Sequence, residues 1–290
     1  MTTFSPVQAA LEGLRMTRRK PLVVLAWAAC YFAMLVMLGL VVAFAFGGSV
    51  RADLALLQRT NDLREWVDIV ARRKGTLLPL IALAVALQSV ITVAIMRAAV
   101  RPDDHGLAYM RIGKQEARQF VVALVGWAVT LVVTALPSAL LVLIGSGLIS
   151  LGAVETNRWV EVLGTIAVAG LSIWFGIRLS LLSITTFAEG RLDLRRTWAL
   201  TDRHFWQLLW MYGLAVIITI LVGVAQTVVA GLILGLSGGI TNVVMLALTG
   251  LANMLLAPFF FTVQMVILTA APARAYHDLH ASEPVAVVAA

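Results

Sequence analysis

The sequence predicts an all-α fold, a polytopic membrane bundle of six transmembrane helices with amphipathic surface helices at the cytoplasmic face. Of the 290 residues, 61% are hydrophobic and 13% are charged, whereas a soluble domain has about 25% charged residues. Six apolar runs are long enough to cross a hydrocarbon core of about 30 Å. The basic residues lie mostly at the ends of these runs, where they meet anionic headgroups.

We expect residues 1–290 to form a single integral membrane domain that contains all six runs. The predicted spans are approximately 21–46, 76–100, 120–144, 163–187, 208–234 and 245–271. The first run follows three basic residues and contains an Ala-Phe-Ala sequence, so it imitates a signal peptide with its cleavage site. Because the run is much longer than the about 7–15 apolar residues of a signal sequence, we interpret it as a retained membrane helix.

Each odd-numbered span follows a short basic stretch with the apolar periodicity of an amphipathic helix. These stretches begin VQAALEGLR, LAYMRIGKQ and LRRTWALTD, at residues 7, 107 and 194. The pattern predicts three units, each consisting of a surface helix and two spans. Aromatic residues at the entries to the spans suit anchoring at the membrane interface.

The distribution of Lys and Arg predicts that both termini are cytoplasmic. The inside segments then carry four basic residues before the first span, four in the second loop, four in the fourth loop and one in the tail. The outside loops carry six, one and none, which agrees with the positive-inside rule. The six in the first outside loop conflict with that rule. Apolar residues recur there at helical spacing, and we predict an extracytoplasmic amphipathic helix over 51–74.

Several kinds of site lack their usual signature in the sequence. The net charge of +7 would suit nucleic acid, but the basic residues follow the span ends, so we predict no nucleic-acid binding. The single cysteine, Cys30, lies in the first apolar run and supplies no thiolate cluster. His277 and His280 have no further ligands beside them, and we predict no metal, cofactor or catalytic residue.

Polar residues inside the predicted spans are amides and hydroxyls, without Asp, Glu, His or Lys. Proton-coupled pumps usually place such ionisable groups inside their spans, so an ion-coupled pump is disfavoured. Gln88, Asn253 and Gln264 are candidates to line a polar cavity. The alternative, which we favour, is that they form hydrogen bonds between helices, worth about 0.6 kcal/mol each.

A glycine ladder ends the fifth span, where Gly231, Gly235 and Gly239 recur every four residues. Small residues at this spacing allow helix backbones to approach closely. The ladder therefore predicts tight packing and is compatible with a homo-oligomer.

Two arginines lie inside predicted spans, Arg97 in the second and Arg178 in the fourth. An arginine at the bilayer centre costs about 2.5–3.5 kcal/mol on insertion scales. Arg97 is three residues from the end of its span, so we expect it to reach the headgroups. Arg178 can extend to the phosphates if the hydrocarbon ends near Leu182. Alternatively, it faces the bundle and holds an anionic headgroup or carbonyls freed by a kink.

The stretch RLSLLSITTFAEGRLDLRRTWALTDRHFWQLLW, which begins at Arg178, resembles a known pattern. It is similar to the membrane domain that precedes the catalytic barrel in some bacterial glycerophosphodiester phosphodiesterases, and to related stand-alone inner-membrane proteins. The matching positions are the span arginine Arg178, the acidic Glu189, Thr201 in the surface helix, and Phe205 and Trp206 entering the next span.

This resemblance implies a six-helix bacterial inner-membrane module with a lipid-associated or envelope-maintenance role. The hydrolase activity does not carry over, because no soluble stretch of this chain is long enough for a barrel of about 250 residues.

We therefore expect a non-enzymatic bacterial inner-membrane protein that scaffolds protein partners, which the sequence does not identify, or engages membrane lipids, including anionic phospholipids. The candidate headgroup or anion contacts are Arg97, Arg178, Arg195, Arg196 and Arg203. The alternative is a transporter or flippase-like permease with a polar cavity in the bundle. An intramembrane enzyme would need a nucleophile with a base, or metal ligands, and the spans supply neither.

Overall fold

A computed structural model describes residues 4–59, 63–101, 106–236 and 243–282, which are almost entirely helical. The α-helices are α1 (Pro6–Arg19), α2 (Pro21–Arg59), α3 (Leu63–Val100), α4 (Lys114–Ser150), α5 (Val154–Ser180), α6 (Leu182–Glu189), α7 (Leu194–Arg203), α8 (Phe205–Leu236) and α9 (Val243–Ser282). A 3₁₀ turn, Leu107–Tyr109, precedes α4. Six segments are long and apolar enough to cross a membrane. The protein is thus an all-α, multi-pass membrane protein, as predicted.

Two predicted boundaries differ from the structure. The segment 51–74 is not one separate surface helix, because residues 51–59 continue α2 and residues 63–74 begin α3. Neither part contains a glycine or proline that would end the longer helix. The predicted span 163–187 is divided at Leu181 into α5 and the short helix α6.

The three predicted surface stretches have different outcomes. Those before the first and fifth spans form α1 and α7, as expected. The middle stretch forms no surface helix, since its start is the 3₁₀ turn and its end is the first turns of α4. In this turn Ala108 and Tyr109 have φ angles of 49° and 63°, in the left-handed region that non-glycine residues rarely adopt. The carbonyls of both residues accept tertiary hydrogen bonds, which favour the turn over a helix.

Among the residues whose burial the structure describes, the buried side chains are concentrated at one end of the bundle. Successive spans run in opposite directions, so this end contains the beginnings of α2, α4 and α8 and the ends of α3, α5 and α9. Fully buried side chains there include Trp27, Ile95, Leu181, Leu208 and Ile267. We call this the basic end, because most exposed Lys and Arg residues of the described chain lie on it. The rest of the six spans is called the open half.

Helix α1 completes the core of the basic end. Its small residues Ala9, Ala10 and Gly13 are buried, and a side chain at Gly13 would overlap the backbone of Ile267 on α9. The two helices are therefore in direct backbone contact, which only glycine permits at this position. The apolar face of α1 consequently packs on the protein, while Arg15, Arg18 and Arg19 remain exposed.

Candidate functional site

Polar side chains that are buried among the spans meet at the basic end. The set includes Arg97, Glu116, Gln119, Arg178, Thr185, Thr186, Thr197 and Thr201. Buried polar groups cost free energy unless they are hydrogen-bonded. The partners of these side chains therefore show how the basic end is held together and where it leaves bonding capacity unused.

Arg97 forms an ion pair inside the protein. Its Nη2 lies 2.7 Å from Oε1 of Glu116, and the two side chains are 4% and 7% exposed. The guanidinium also donates to Oε1 of Gln115 at 2.9 Å and to the carbonyl of Tyr109. The structure thus contradicts our expectation that Arg97 reaches the headgroups. The carboxylate and carbonyl satisfy its charge internally, which makes the position tolerable near the end of a span.

The 3₁₀ turn links the start of α2 to the end of α3 around Arg97. The Tyr109 carbonyl accepts a hydrogen bond from Arg97. The Ala108 carbonyl accepts one from Trp27 Nε1 at 2.7 Å. Lys20 Nζ donates to the Tyr109 hydroxyl, also at 2.7 Å. These bonds hold the start of α2 against the end of α3, and they offset the strained backbone of the turn.

Arg178 is also buried, but aromatic rings surround it. Its guanidinium carbon lies 5.4, 5.1 and 5.7 Å from the ring centroids of Trp174, Trp198 and Phe205. Its Nη2 is 2.5 Å from Oδ1 of Asp202, whose side chain is 64% exposed. Nε and Nη1 are buried and have no hydrogen-bond partner. Of the two alternatives for Arg178, the structure therefore favours the one that faces the protein, with π faces and one carboxylate as its partners.

The remaining predicted arginines lie on α7, which begins with an Asp193 cap that accepts from the Arg196 backbone N–H at 3.0 Å. Arg196 Nη1 donates to Oε2 of Glu189 at 3.2 Å. The other oxygen of Glu189 accepts from the Tyr276 hydroxyl at 3.3 Å. Glu189 thereby joins α6 to α7 and α9, and Arg196 is engaged within the protein.

Arg195 and Arg203 differ from the others because they are exposed. Three tryptophans are exposed in the same region. Trp198 on α7 is 37% exposed, and Trp206 and Trp210 at the start of α8 are 70% and 69% exposed. Tryptophan is enriched at the level of the lipid headgroups, and arginine pairs with phosphate through two parallel hydrogen bonds. We call these five residues the α7 surface.

Among the described residues, the predicted cavity residues do not line one common groove. Gln88 lines a groove between α2, α3 and α4 with a volume of about 400 Å³. Gln264 lies beside Gly223 of α8, and Asn253 is about 16 Å earlier along α9 at 1.5 Å per residue. Two further grooves, of about 420 and 660 Å³, lie between α4 and α5. The protein thus has lateral grooves of ligand size, and one of them contains a predicted residue.

The glycine ladder is partly described. Gly231 and Gly235 on α8 are exposed, and a side chain at either position would meet no atom within 4 Å. Gly239 lies outside the described residues. Against the part of the chain that the structure describes, these two glycines make no close contact, and the tight packing and the homo-oligomer stay predictions.

Sequence reasoning missed the residues that stabilise the two buried arginines. Glu116 lies 19 residues after Arg97 in a stretch that we expected to form a surface helix. Trp198 and Asp202, which lie on α7 and contact Arg178, were not singled out. A buried arginine requires a partner, and that requirement was the signal for a search of nearby acidic residues.

Neither a family model, nor a curated protein, nor a solved structure matches the chain. Among the residues that the structure describes, no group of three His, Cys, Asp or Glu side chains is arranged to hold a metal ion.

Proposed function

We propose that the protein is a non-enzymatic, lipid-associated scaffold of the bacterial inner membrane, which binds anionic phospholipid headgroups at its basic end. The observation that carries this proposal is the α7 surface, where Arg195 and Arg203 are exposed on α7 and three exposed tryptophans lie on α7 and the first turns of α8. The resemblance to the phosphodiesterase membrane domain supports a role in envelope maintenance. The proposal places both termini and the basic end in the cytoplasm, as the positive-inside rule favours.

The arginines differ in whether they are paired inside the protein or exposed, and this difference supports headgroup binding. Arg97 and Arg196 are held by Glu116 and Glu189, so they serve the architecture. Arg195 and Arg203 remain available to the membrane surface. A basic residue near an anionic leaflet contributes about 1 kcal/mol to binding, and neighbouring tryptophans fix the depth at which it acts.

The test measures lipid retention by native mass spectrometry of the purified chain, with phosphatidylglycerol and phosphatidylcholine as probes. We expect the wild type to retain phosphatidylglycerol preferentially. The double variant Arg195→Gln/Arg203→Gln loses about 2 kcal/mol of that binding, or roughly 30-fold in affinity.

Arg158→Gln supplies a matched control, because Arg158 is an exposed arginine near the start of α5, at the opposite end of the bundle. It should retain phosphatidylglycerol as the wild type does. Equal retention of both lipids by the wild type, or equal losses in the double variant and the control, would refute the proposal.

A second candidate is a flippase-like permease, which the groove containing Gln88 favours. Its test uses proteoliposomes with a fluorescent phospholipid and a membrane-impermeant quencher. Faster loss of inner-leaflet fluorescence than in protein-free liposomes would support it. An unchanged rate would remove this candidate and leave the scaffold proposal standing.

A further inference from the structure

The groove between α2, α3 and α4 differs from the α7 surface in place and in chemistry. Its walls include Tyr31, Leu38, Ala84 and Trp127, and its volume of about 400 Å³ falls in the usual range for ligand pockets. Tyr31 is fixed by stacking on Phe261, with ring centroids 4.5 Å apart. Trp127 is 67% exposed, so the groove opens sideways, toward the surrounding lipid.

The polar and apolar parts of the groove are separated by depth. Gln119 and Thr92 lie about 8 and 12 Å from the ends of their helices at the basic end, at 1.5 Å per residue. Ala84 and Leu38 lie about 24 and 26 Å from that end on the same measure. The groove is therefore polar toward the headgroup level and apolar toward the bilayer centre, as an amphiphile with its chain pointing inward requires.

Gln119 leaves one hydrogen-bonding position unused. Its side chain is buried, with an exposure of 6%, and its Nε2 donates to the Ser183 hydroxyl. Its Oε1 is buried and has no partner. An unpaired buried amide oxygen is costly, and Gln119 is one of the residues that line the groove. Rotation of its amide toward a bound group that donates a hydrogen bond would therefore recover free energy.

The other polar residues of the groove also present unused acceptors. The hydroxyls of Ser89 and Thr92 donate to carbonyls of their own helix, at 2.7 and 3.0 Å, which leaves their oxygen lone pairs toward other donors. The Gln88 amide donates to the Met265 sulfur at 3.4 Å, a weak acceptor. No charged side chain is among the described residues that line the groove. The complementary polar group is therefore neutral and donates a hydrogen bond, as a hydroxyl does.

We propose that this groove binds a neutral, hydroxyl-bearing lipid, with its hydroxyl hydrogen-bonded to Gln119 and its chain lying along Leu38 and Ala84. Monoacylglycerols, diacylglycerols and isoprenoid alcohols all have this chemistry. A hydroxyl can donate and accept, so it pairs with the Gln119 amide in either orientation. The proposal does not depend on headgroup binding by the α7 surface, since it concerns another ligand at another place.

The neighbouring groove between α4 and α5 provides the internal contrast. It shares Trp127 with the first groove and has a similar volume of about 420 Å³. Its hydroxyls at Thr134, Ser172 and Ser180 donate to carbonyls of their own helices. The buried polar atoms without partners in the described chain do not include any of its residues. Among the described residues, the second groove thus has no counterpart of the unpaired Gln119 Oε1, and Ser172→Ala is the matched control.

The experiment uses the full chain in nanodiscs and follows quenching of Trp127 by the 9,10-dibromostearoyl ester of glycerol. The signal of Trp127→Phe is subtracted so that only Trp127 is observed. The matched probe is the methyl ester of the same acid, which has the chain and the ester but no hydroxyl. We expect half-quenching at a roughly tenfold lower mole fraction of the glycerol ester than of the methyl ester.

Gln119→Leu should abolish this tenfold preference, and Ser172→Ala should retain it. If Gln119→Leu is not recovered as a folded protein, Gln88→Leu replaces it, with a reduced preference expected. Equal half-quenching by the two esters, or an unchanged preference in the glutamine variant, would overturn the proposal.

Competition with unlabelled lipids identifies the source of the hydroxyl. Displacement by monooleoylglycerol at lower concentration than by farnesol assigns a glycerol lipid, and the reverse order assigns an isoprenoid alcohol. Displacement by neither overturns the proposal. Phosphatidylglycerol retention by the same samples reports separately on the α7 surface, so failure of one proposal is distinguishable from failure of the other.

Discussion

The basic end and the open half contain the same six spans but are built in different ways. At the basic end, α1, α6 and α7 cover the spans, and Trp27, Leu208 and Ile267 are fully buried. In the open half, large apolar side chains such as Leu143 and Leu221 are exposed by 68% and 61%. Lipid covers such surfaces without cost, because its chains are as apolar as leucine. In the part of the chain whose side chains the structure describes, buried tertiary packing and polar bonds are therefore concentrated at the basic end.

This difference explains why charged residues are tolerated where they are. Arg97 and Arg178 lie at the basic end, where short helices and the 3₁₀ turn supply carboxylates, carbonyls and aromatic faces. The open half offers lipid to most of its surface and so supplies few such partners. The same contrast orders the expected effects of mutation, which we give from the largest to the smallest.

The largest loss is expected for Glu116→Ala, which leaves the buried Arg97 guanidinium without its carboxylate. Removing one partner of a buried ion pair costs about 3–5 kcal/mol. The measurement is the free energy of unfolding in mixed micelles, from SDS titration followed by tryptophan fluorescence. Asp202→Ala is the control, because Asp202 is 64% exposed and Arg178 keeps its aromatic partners; we expect about 1 kcal/mol or less. Equal losses in the two variants would contradict this account of the basic end.

A smaller loss is expected for Gly13→Ala, which tests the contact between α1 and α9. Alanine favours a helix by about 1 kcal/mol over glycine, but its Cβ would overlap the Ile267 backbone. Backbone cannot move aside as a flexible side chain can, so we expect a net loss of about 1–3 kcal/mol.

Gly231→Ala makes the same change in the open half, where a Cβ meets nothing within 4 Å. It should leave the free energy of unfolding unchanged or raise it slightly. If Gly13→Ala behaves like Gly231→Ala, α1 is not packed on α9 as the structure shows. Association of the wild type that is lost in Gly231→Ala would instead support the predicted homo-oligomer.

A loss of about 1 kcal/mol is expected for Asp193→Ala, because Asp193 caps α7 through the Arg196 backbone N–H. Asp193→Asn, which can still accept this hydrogen bond, should behave like the wild type. Loss of the cap should also weaken phosphatidylglycerol retention, since α7 positions Arg195 and Arg203. An Asn variant as destabilised as the Ala variant would show that charge, and not capping, is responsible.

The sequence predicted the spans well because a bilayer imposes length and apolarity on every helix that crosses it. It did not predict which spans are central. The segments Leu78–Val100 and Leu107–Ser150 have the same mean hydropathy of 2.3, yet 33% and 6% of their most apolar windows are buried. Lipid and protein interior are both apolar, so hydropathy does not distinguish them.

The site was predicted unevenly for a related reason. Periodicity identified α7, and its exposed Arg195 and Arg203 were among the candidates. The partners of Arg97 are set by the turn before α4, where tertiary hydrogen bonds override a helical pattern. Gln119 was not singled out at all, because nothing in the sequence distinguishes a satisfied amide from one with an unpaired oxygen.

The smallest effect is expected in the open half, for Leu221→Ala. Leu221 is 61% exposed to the surroundings of the bundle, which are lipid chains in both the folded and the dissociated states of the helices. The substitution therefore removes few protein contacts, and the free energy of unfolding should change by less than about 0.5 kcal/mol. A loss as large as that of Asp193→Ala would show that this face of α8 is covered by protein, and would move α8 from the open half into an interface.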